Sequence, residues 1–218
     1  MGELFVKTLV VGVLSTNCYV VMDGDSAEGF LIDPGAEARK VVRSARDVGL
    51  RCRAVLCTHG HVDHVGAAGK VCEALGVPAM ISEEDSAVLL GASRGIGARL
   101  GSVLVSRPGG DAVRYLRDGD ELPFGALSMR AVATPGHSPG SMSLVVGDSV
   151  FCGDLVFQGS VGRTDLRGGS LEKLLTSVAE HIWPLGDGAR IYPGHGPATT
   201  VRAEKRSNPF LRGLELEA

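Results

Sequence analysis

Thr58-His59-Gly60-His61-Val62-Asp63-His64 is the stretch on which the reading of this chain turns. Three of the six histidines fall between positions 59 and 64. They follow directly on Arg53 to Cys57, a short apolar run that reads as a strand. Residues two apart in an extended loop point the same way, so His59 and His61 can grip one cation. As the chain turns into helix, Asp63 and His64 point at a neighbouring position. Imidazole suits zinc, iron, nickel or copper, and a carboxylate can bridge two such ions.

Further along, two histidines stand in matching turns, Thr134-Pro135-Gly136-His137 and Tyr192-Pro193-Gly194-His195. Turn residues fix the exit of a side chain from a strand, which suits a ligand. Asp154 follows Cys152-Gly153 in the same way. His59, His61 and His137 can form one metal site and Asp63, His64 and His195 a second, with Asp154 between them. Either His137 or His195 alone reads equally well as an ordinary hydrogen-bonding residue; the set of seven does not. His181, in a helical stretch before Trp183-Pro184, reads as a separate histidine in a surface or core hydrogen-bonding role, and Cys152 as a packed thiol.

Strands are expected at Leu4 to Val13, Cys18 to Met22 and Gly29 to Ile32, then a helix over Ala36 to Val48. Helix resumes from Val65 to Leu75, and Pro78 to Ile81 is a short strand. The second half repeats the theme, with strands at Leu127 to Ala133, Ser143 to Val146, Ser149 to Cys152 and Arg190 to Tyr192. Leu171 to Ile182 is its helix. Two similar blocks, each delivering His or Asp at strand ends, predict an α/β (α+β) chain forming a four-layer αββα sandwich. Ser82 to Asp120 is the least legible segment and a candidate flap over the site. Within it, Gly91-Ala92-Ser93-Arg94-Gly95-Ile96-Gly97 imitates a dinucleotide fingerprint. It lacks the preceding first strand and the following long helix that such a motif needs, so it reads as a Gly-rich connection.

Composition bounds the rest. With 218 residues, 44% hydrophobic and 22% charged, the chain is expected to form one domain over 1–218. A formal net charge of −3 gives no reason to expect nucleic acid or an anionic membrane as partner. Five cysteines, odd in number and without a C-x-x-C pair, point to reduced thiols in the cytoplasm. Leu9 to Leu14 is too short and wrongly flanked for a signal peptide. No stretch approaches the ~18 apolar residues of a membrane span.

The order His59-x-His61-x-Asp63-His64, His137, Asp154, His195 resembles the metallo-β-lactamase superfamily over essentially the whole chain. Gly159-Ser160-Val161-Gly162-Arg163-Thr164-Asp165, Gly194 to Thr200 and Asn208-Pro209-Phe210 are more narrowly similar to short glyoxalase II-like hydrolases (hydroxyacylglutathione hydrolase-like). The resemblance implies two divalent metal ions, zinc first and iron or manganese as alternatives. It implies that a hydroxide held between them, with Asp63 nearby, attacks the carbonyl of a small hydroxyacyl thioester. A thiolate leaving group makes a dedicated general acid less necessary.

Two departures stand out. The C-terminal helical domain that helps two-domain glyoxalase II enzymes hold glutathione is not expected, and the Lys and Tyr that grip the tripeptide are Arg163 and Asp165 here. Arg163 is therefore either a carboxylate clamp for substrate or an ion-pair partner of Asp165. Asp33, in Asp33-Pro34-Gly35, either orients a metal-bound histidine or merely starts a turn. The nearest rival on the same fold is a persulfide dioxygenase with one Fe(II) on His59, His137 and Asp154. A lactonase or β-lactamase is a weaker one.

Overall fold

Alternation with period two decides how the N-terminal strands stack. The computed structural model describes residues 2–90, 105–109 and 112–214. In it, Tyr19, Val21, Phe30, Ile32, Ala54 and Leu56 face one way, into a core shared with a second sheet. Cys18, Val20, Leu31, Val55 and Cys57 face the other way, onto helices. These strands are buried on both faces and so are apolar nearly throughout.

The first sheet holds β1 (Leu4–Val11), β2 (Thr16–Asp23), β3 (Glu28–Ile32), β4 (Arg51–Leu56), β5 (Ala79–Ile81) and β6 (Val113–Tyr115), in that order. β1 to β3 pair antiparallel, and β3 to β6 pair parallel. α1 (Ala38–Asp47) and α3 (Ala68–Leu75) cover its outer face through Val41, Val42, Ala45, Ala68, Val71 and Cys72.

The second sheet contains β7 (Glu121–Phe124), β8 (Leu127–Ala133), β9 (Met142–Val146), β10 (Ser149–Gly153), β13 (Arg190–Pro193) and β14 (Thr199–Thr200). Their order is β14-β13-β10-β9-β8-β7. A small hairpin, β11 (Val156–Phe157) and β12 (Ser160–Val161), follows β10. α5 (Leu171–Ser177), its π-helical continuation Val178–Ile182 and α6 (Val201–Ser207) cover the outer face with Leu174, Val178, Ile182 and Val201. The four αββα layers are those that the strand and helix pattern predicts.

Several elements depart from expectation. The helix read as continuous from Val65 to Leu75 breaks into α2 (Val62–Val65) and α3. At the break, Ser106 donates from its amide to the Gly66 carbonyl, and the Ala67 amide donates to the Pro34 carbonyl. Tertiary partners thus replace the helical bonds there. β6, β7, the β11–β12 hairpin, β14 and α6 lie outside the elements that the sequence pattern predicts; they are short, and β7 contains Pro123.

Within Ser82 to Asp120, the described flanks are packed. Asp85, Ser86, Leu89, Val105 and Leu116 are buried, and the segment includes the short helix α4 (Ala87–Leu90). The Gly91 to Gly97 connection, and the part of the candidate flap over 91–104 and 110–111, lie outside the described residues. Among the described residues no helix is long and apolar enough to cross a membrane.

Candidate metal centre

Each candidate ligand leaves the end of a strand at one edge of the sandwich. β4 runs into the His59–His64 loop, β8 into Thr134–His137, β10 into Asp154 and β13 into Gly194-His195. The edge is stitched between sheets: the Asn17 amide donates to the Gly194 carbonyl at 2.7 Å, and the Met142 amide to the Thr58 carbonyl at 2.8 Å. Gly194 is required by close approach, since a Cβ there would strike Asp154 Oδ1 and the His64 ring. Gly153 has φ +51 and packs on Thr58, which turns the chain so that Asp154 points inward.

The structure brings all seven residues together. His59, His61 and His137 form one group, and Asp63, His64 and His195 another; the potential ligand atoms in each lie within 4.8 Å of one another. Asp154 spans them. Its Oδ1 lies 3.4 Å from His64 Nε2, and its Oδ2 lies 3.5 Å from His137 Nε2 and 3.7 Å from His195 Nε2. Asp63 Oδ2 lies 3.2 Å from His195 Nε2 and 3.5 Å from His64 Nε2. His181 sits apart from this cluster, with Glu180 at 3.9 Å.

The outer ring nitrogens decide which inner nitrogens carry lone pairs. His64 Nδ1 donates to Asp33 Oδ2 at 2.9 Å, His137 Nδ1 to the Arg163 carbonyl at 2.8 Å, and His195 Nδ1 to the Leu14 carbonyl at 3.0 Å. The Thr58 hydroxyl donates to Asp33 Oδ2 at 2.7 Å, so its oxygen accepts from His59 Nδ1 at 3.0 Å. Nε2 of each neutral ring is then an unprotonated donor atom aimed at the centre.

His59 Nε2 and His137 Nε2 lie 3.0 Å and 2.8 Å from His61 Nδ1. One proton on His61 can satisfy only one of these contacts. His64 Nε2 and Asp154 Oδ1 are buried with no hydrogen-bond partner among the described residues. Converging lone pairs and orphaned buried acceptors are the arrangement that a divalent cation satisfies.

The electrostatics agree. Burial pulls the His64 pKa down, but the charges of Asp33 and Asp154 push it up to about 10, so this ring sits where positive charge is favoured. Burial raises the pKa values of Asp63 and Asp154, yet their histidine neighbours hold both well below the usual carboxylate range. Burial and His64 lower the pKa of His59; burial and His137 lower that of His61. In His195 the hydrogen bond to Asp63 outweighs burial and raises it.

Residues 11–195 match the model of the Metallo-beta-lactamase superfamily. The chain belongs to that superfamily. Among curated relatives of this metallo-beta-lactamase-fold chain, the probable metallo-hydrolase YqgX of Bacillus subtilis is 38% identical over 214 residues, covering 96% of this chain and 99% of its own. Hydroxyacylglutathione hydrolase GloC of Haemophilus influenzae is 34% identical over 212 residues, covering 94% and 97%. Among solved structures, the BLEG-1 B3 metallo-beta-lactamase superposes with a TM-score of 0.86 at 35% identity, covering 96% of this chain and 100% of that one. TTHA1623 in a di-iron-bound form gives 0.81 at 39%, covering 94% and 100%. ETHE1 from Myxococcus xanthus gives 0.75 at 28%, covering 94% and 83%. The chain is thus a metallo-hydrolase-type protein with a His/Asp cluster suited to divalent metal.

Two supporting residues of this superfamily member are not legible in the sequence. Thr16 donates from Oγ1 to Asp63 Oδ2 at 3.1 Å. Asp85 accepts from the Gly60 amide at 2.9 Å, the Ser138 hydroxyl at 2.6 Å and the Gly140 amide at 3.0 Å, tying the His59–His61 loop to the His137 turn. Neither follows a spacing rule, because both act across long sequence separations. Asp33 does both things allowed for it: it turns the chain with φ +50 and it orients His64. The Arg163 side chain is paired with Asp165 through two 2.8 Å hydrogen bonds, while its carbonyl orients His137.

Proposed function

We propose that the chain hydrolyses hydroxyacyl thioesters with two divalent cations, zinc first among them. The observation that carries the two-cation reading is Asp154, a single carboxylate with one oxygen toward His64 and the other toward His137 and His195. His59, His61 and His137 would hold one cation; Asp63, His64 and His195 would hold the other, with Asp154 shared. Such a pair, when bound, supplies Lewis acidity that brings the pKa of water near neutrality and polarises a carbonyl.

The chain's own residues contribute orientation. Asp63 is the more open of the two carboxylates, its side chain 25% exposed against 11% for Asp154. Its lowered pKa keeps it ionised, as an acceptor that orients an attacking water. A thiol leaves as its anion far more readily than an amine or alcohol, its ordinary pKa being about 8.5. The similarity to GloC, a hydroxyacylglutathione hydrolase, supports the thioester as substrate class.

A single iron on His59, His137 and Asp154 would leave Asp63, His64 and His195 converged for no purpose, which favours two cations. Iron itself stays a candidate metal, since TTHA1623 is a di-iron form. Similarity to BLEG-1 makes a β-lactam the second substrate to assay.

The test is elemental analysis of protein purified without added metal, followed by hydrolysis of a hydroxyacyl thioester of glutathione. Two metal equivalents and turnover lost in His59→Ala are expected. A fully loaded protein no faster than His59→Ala would sink the thioester reading. One iron with oxygen consumption on a persulfide would replace it with the oxygenase.

A further inference from the structure

The two triads are supported by different parts of the chain. His59 leans on Thr58, His137 on the Arg163 carbonyl, and the loop between them on Asp85. The second triad is instead gripped by the turn joining β1 to β2. Leu14 accepts from His195 Nδ1, Thr16 forms an isolated bridge with His195, and the Thr16 hydroxyl donates to Asp63 Oδ2. Thr16 itself is 1% exposed, while the Asp63 and His195 side chains are 25% and 27% exposed.

We infer that Thr16 is a positioning residue for the second divalent cation, and that its hydroxyl sets whether the protein holds one cation or two. A carboxylate oxygen offers two in-plane lone-pair directions. Asp63 Oδ2 accepts from Thr16 along one, which leaves the other for the space it shares with His195 Nε2 at 3.2 Å and His64 Nε2 at 3.5 Å. Without the hydroxyl, the quarter-exposed carboxylate is free to rotate toward water, and the triad loses one of its three members. The first triad shares none of these contacts among the described residues. The inference rests on the two-cation reading above.

The test titrates metal-free protein with Zn(II) against a chromophoric chelator, and repeats the titration with Co(II) while following its visible bands. Thr16→Val keeps the side-chain shape and removes the donor; Thr16→Ser keeps the donor. In wild type two equivalents bind. In Thr16→Val the first equivalent binds as in wild type and the second is weakened about 10- to 100-fold, as for loss of an outer-shell partner. Thr16→Ser restores it. Equal weakening of both equivalents, or two unaltered equivalents in Thr16→Val, overturns the role of Thr16 and leaves the two-cation reading standing. A wild type that binds only one equivalent overturns that reading, and this inference with it. Thr16→Ser binding like Thr16→Val also overturns it, since the hydroxyl would then not be the cause.

Discussion

Asp33 Oδ2 lies 2.9 Å from His64 Nδ1, a contact buried so deeply that the two side chains are 2% and 0% exposed. The same carboxylate accepts from the Thr58 amide at 2.8 Å and the Thr58 hydroxyl at 2.7 Å. One residue thereby orients His64 directly and His59 through Thr58. Removing it in Asp33→Ala strands a buried imidazole and two buried donors. Metal affinity should fall by roughly 10- to 100-fold, and the metal-free protein should lose about 3–5 kcal/mol. Chelator competition and urea unfolding measure the two effects separately. An affinity equal to wild type would show that Asp33 serves only the turn.

Asp85 makes a second buried staple, with no ion-pair partner among the described residues. Its three accepted hydrogen bonds come from Gly60, Ser138 and Gly140. In Asp85→Ala those donors are buried unpaired, at about 1–3 kcal/mol each before relaxation. Asp85→Asn keeps one acceptor oxygen and should recover part of the loss. Thermal unfolding should rank wild type above Asp85→Asn above Asp85→Ala. The first cation, on the His59, His61 and His137 side, should weaken more than the second. A variant as stable as wild type would mean that water replaces the carboxylate.

The contrast between these supports and the ligands shows what a sequence makes legible. The ligands stand beside local markers: Pro193-Gly194 before His195, Pro135-Gly136 before His137, and a two-residue repeat in His59 and His61. Their chemistry is therefore readable one segment at a time. Thr16 and Asp85 carry no such marker, because their partners lie 47 residues away at Asp63 and 25 and 53 residues away at Gly60 and Ser138. Likewise the alternating strands β2 to β4 are plain, whereas β6 (Val-Arg-Tyr) is a strand only because β5 offers it a ladder. The break between α2 and α3 is illegible for the same reason, since Ser106 and Pro34 make it.

Arg163 and Asp165 form an exposed pair, with side chains 61% and 70% accessible. The guanidinium fork matches a carboxylate wherever it finds one, so Asp165 competes with any substrate carboxylate for it. Asp165→Asn should lower KM for a carboxylate-bearing thioester while leaving kcat unchanged. Adding Arg163→Ala should cancel that gain. Because His137 is held by the Arg163 backbone carbonyl, neither change should alter metal content. A change in kcat with constant KM would place this pair outside substrate binding.

The five cysteines are all free, and four of them are buried. Burial pushes the thiols of Cys72 and Cys152 up to about 12 and that of Cys52 up to about 11; Cys18 and Cys57 are also raised, by burial and by the charge of Asp33. At pH 8 a thiol of pKa about 11 is only about one part in a thousand thiolate, which is the reactive form. The native protein should therefore react slowly with a thiol reagent at pH 8 and release all five equivalents only on unfolding.

The same shifts set a direction for stability. In the unfolded chain these thiols ionise near their ordinary pKa of about 8.5, well before the folded ones do. The thiols' contribution is thus intact below that pH and is lost progressively above it. The urea midpoint should fall between pH 8 and pH 10, and replacing Cys152 with Ala should flatten part of that fall. A midpoint constant across this range, or rapid native-state labelling at pH 8, would contradict the packed-thiol reading.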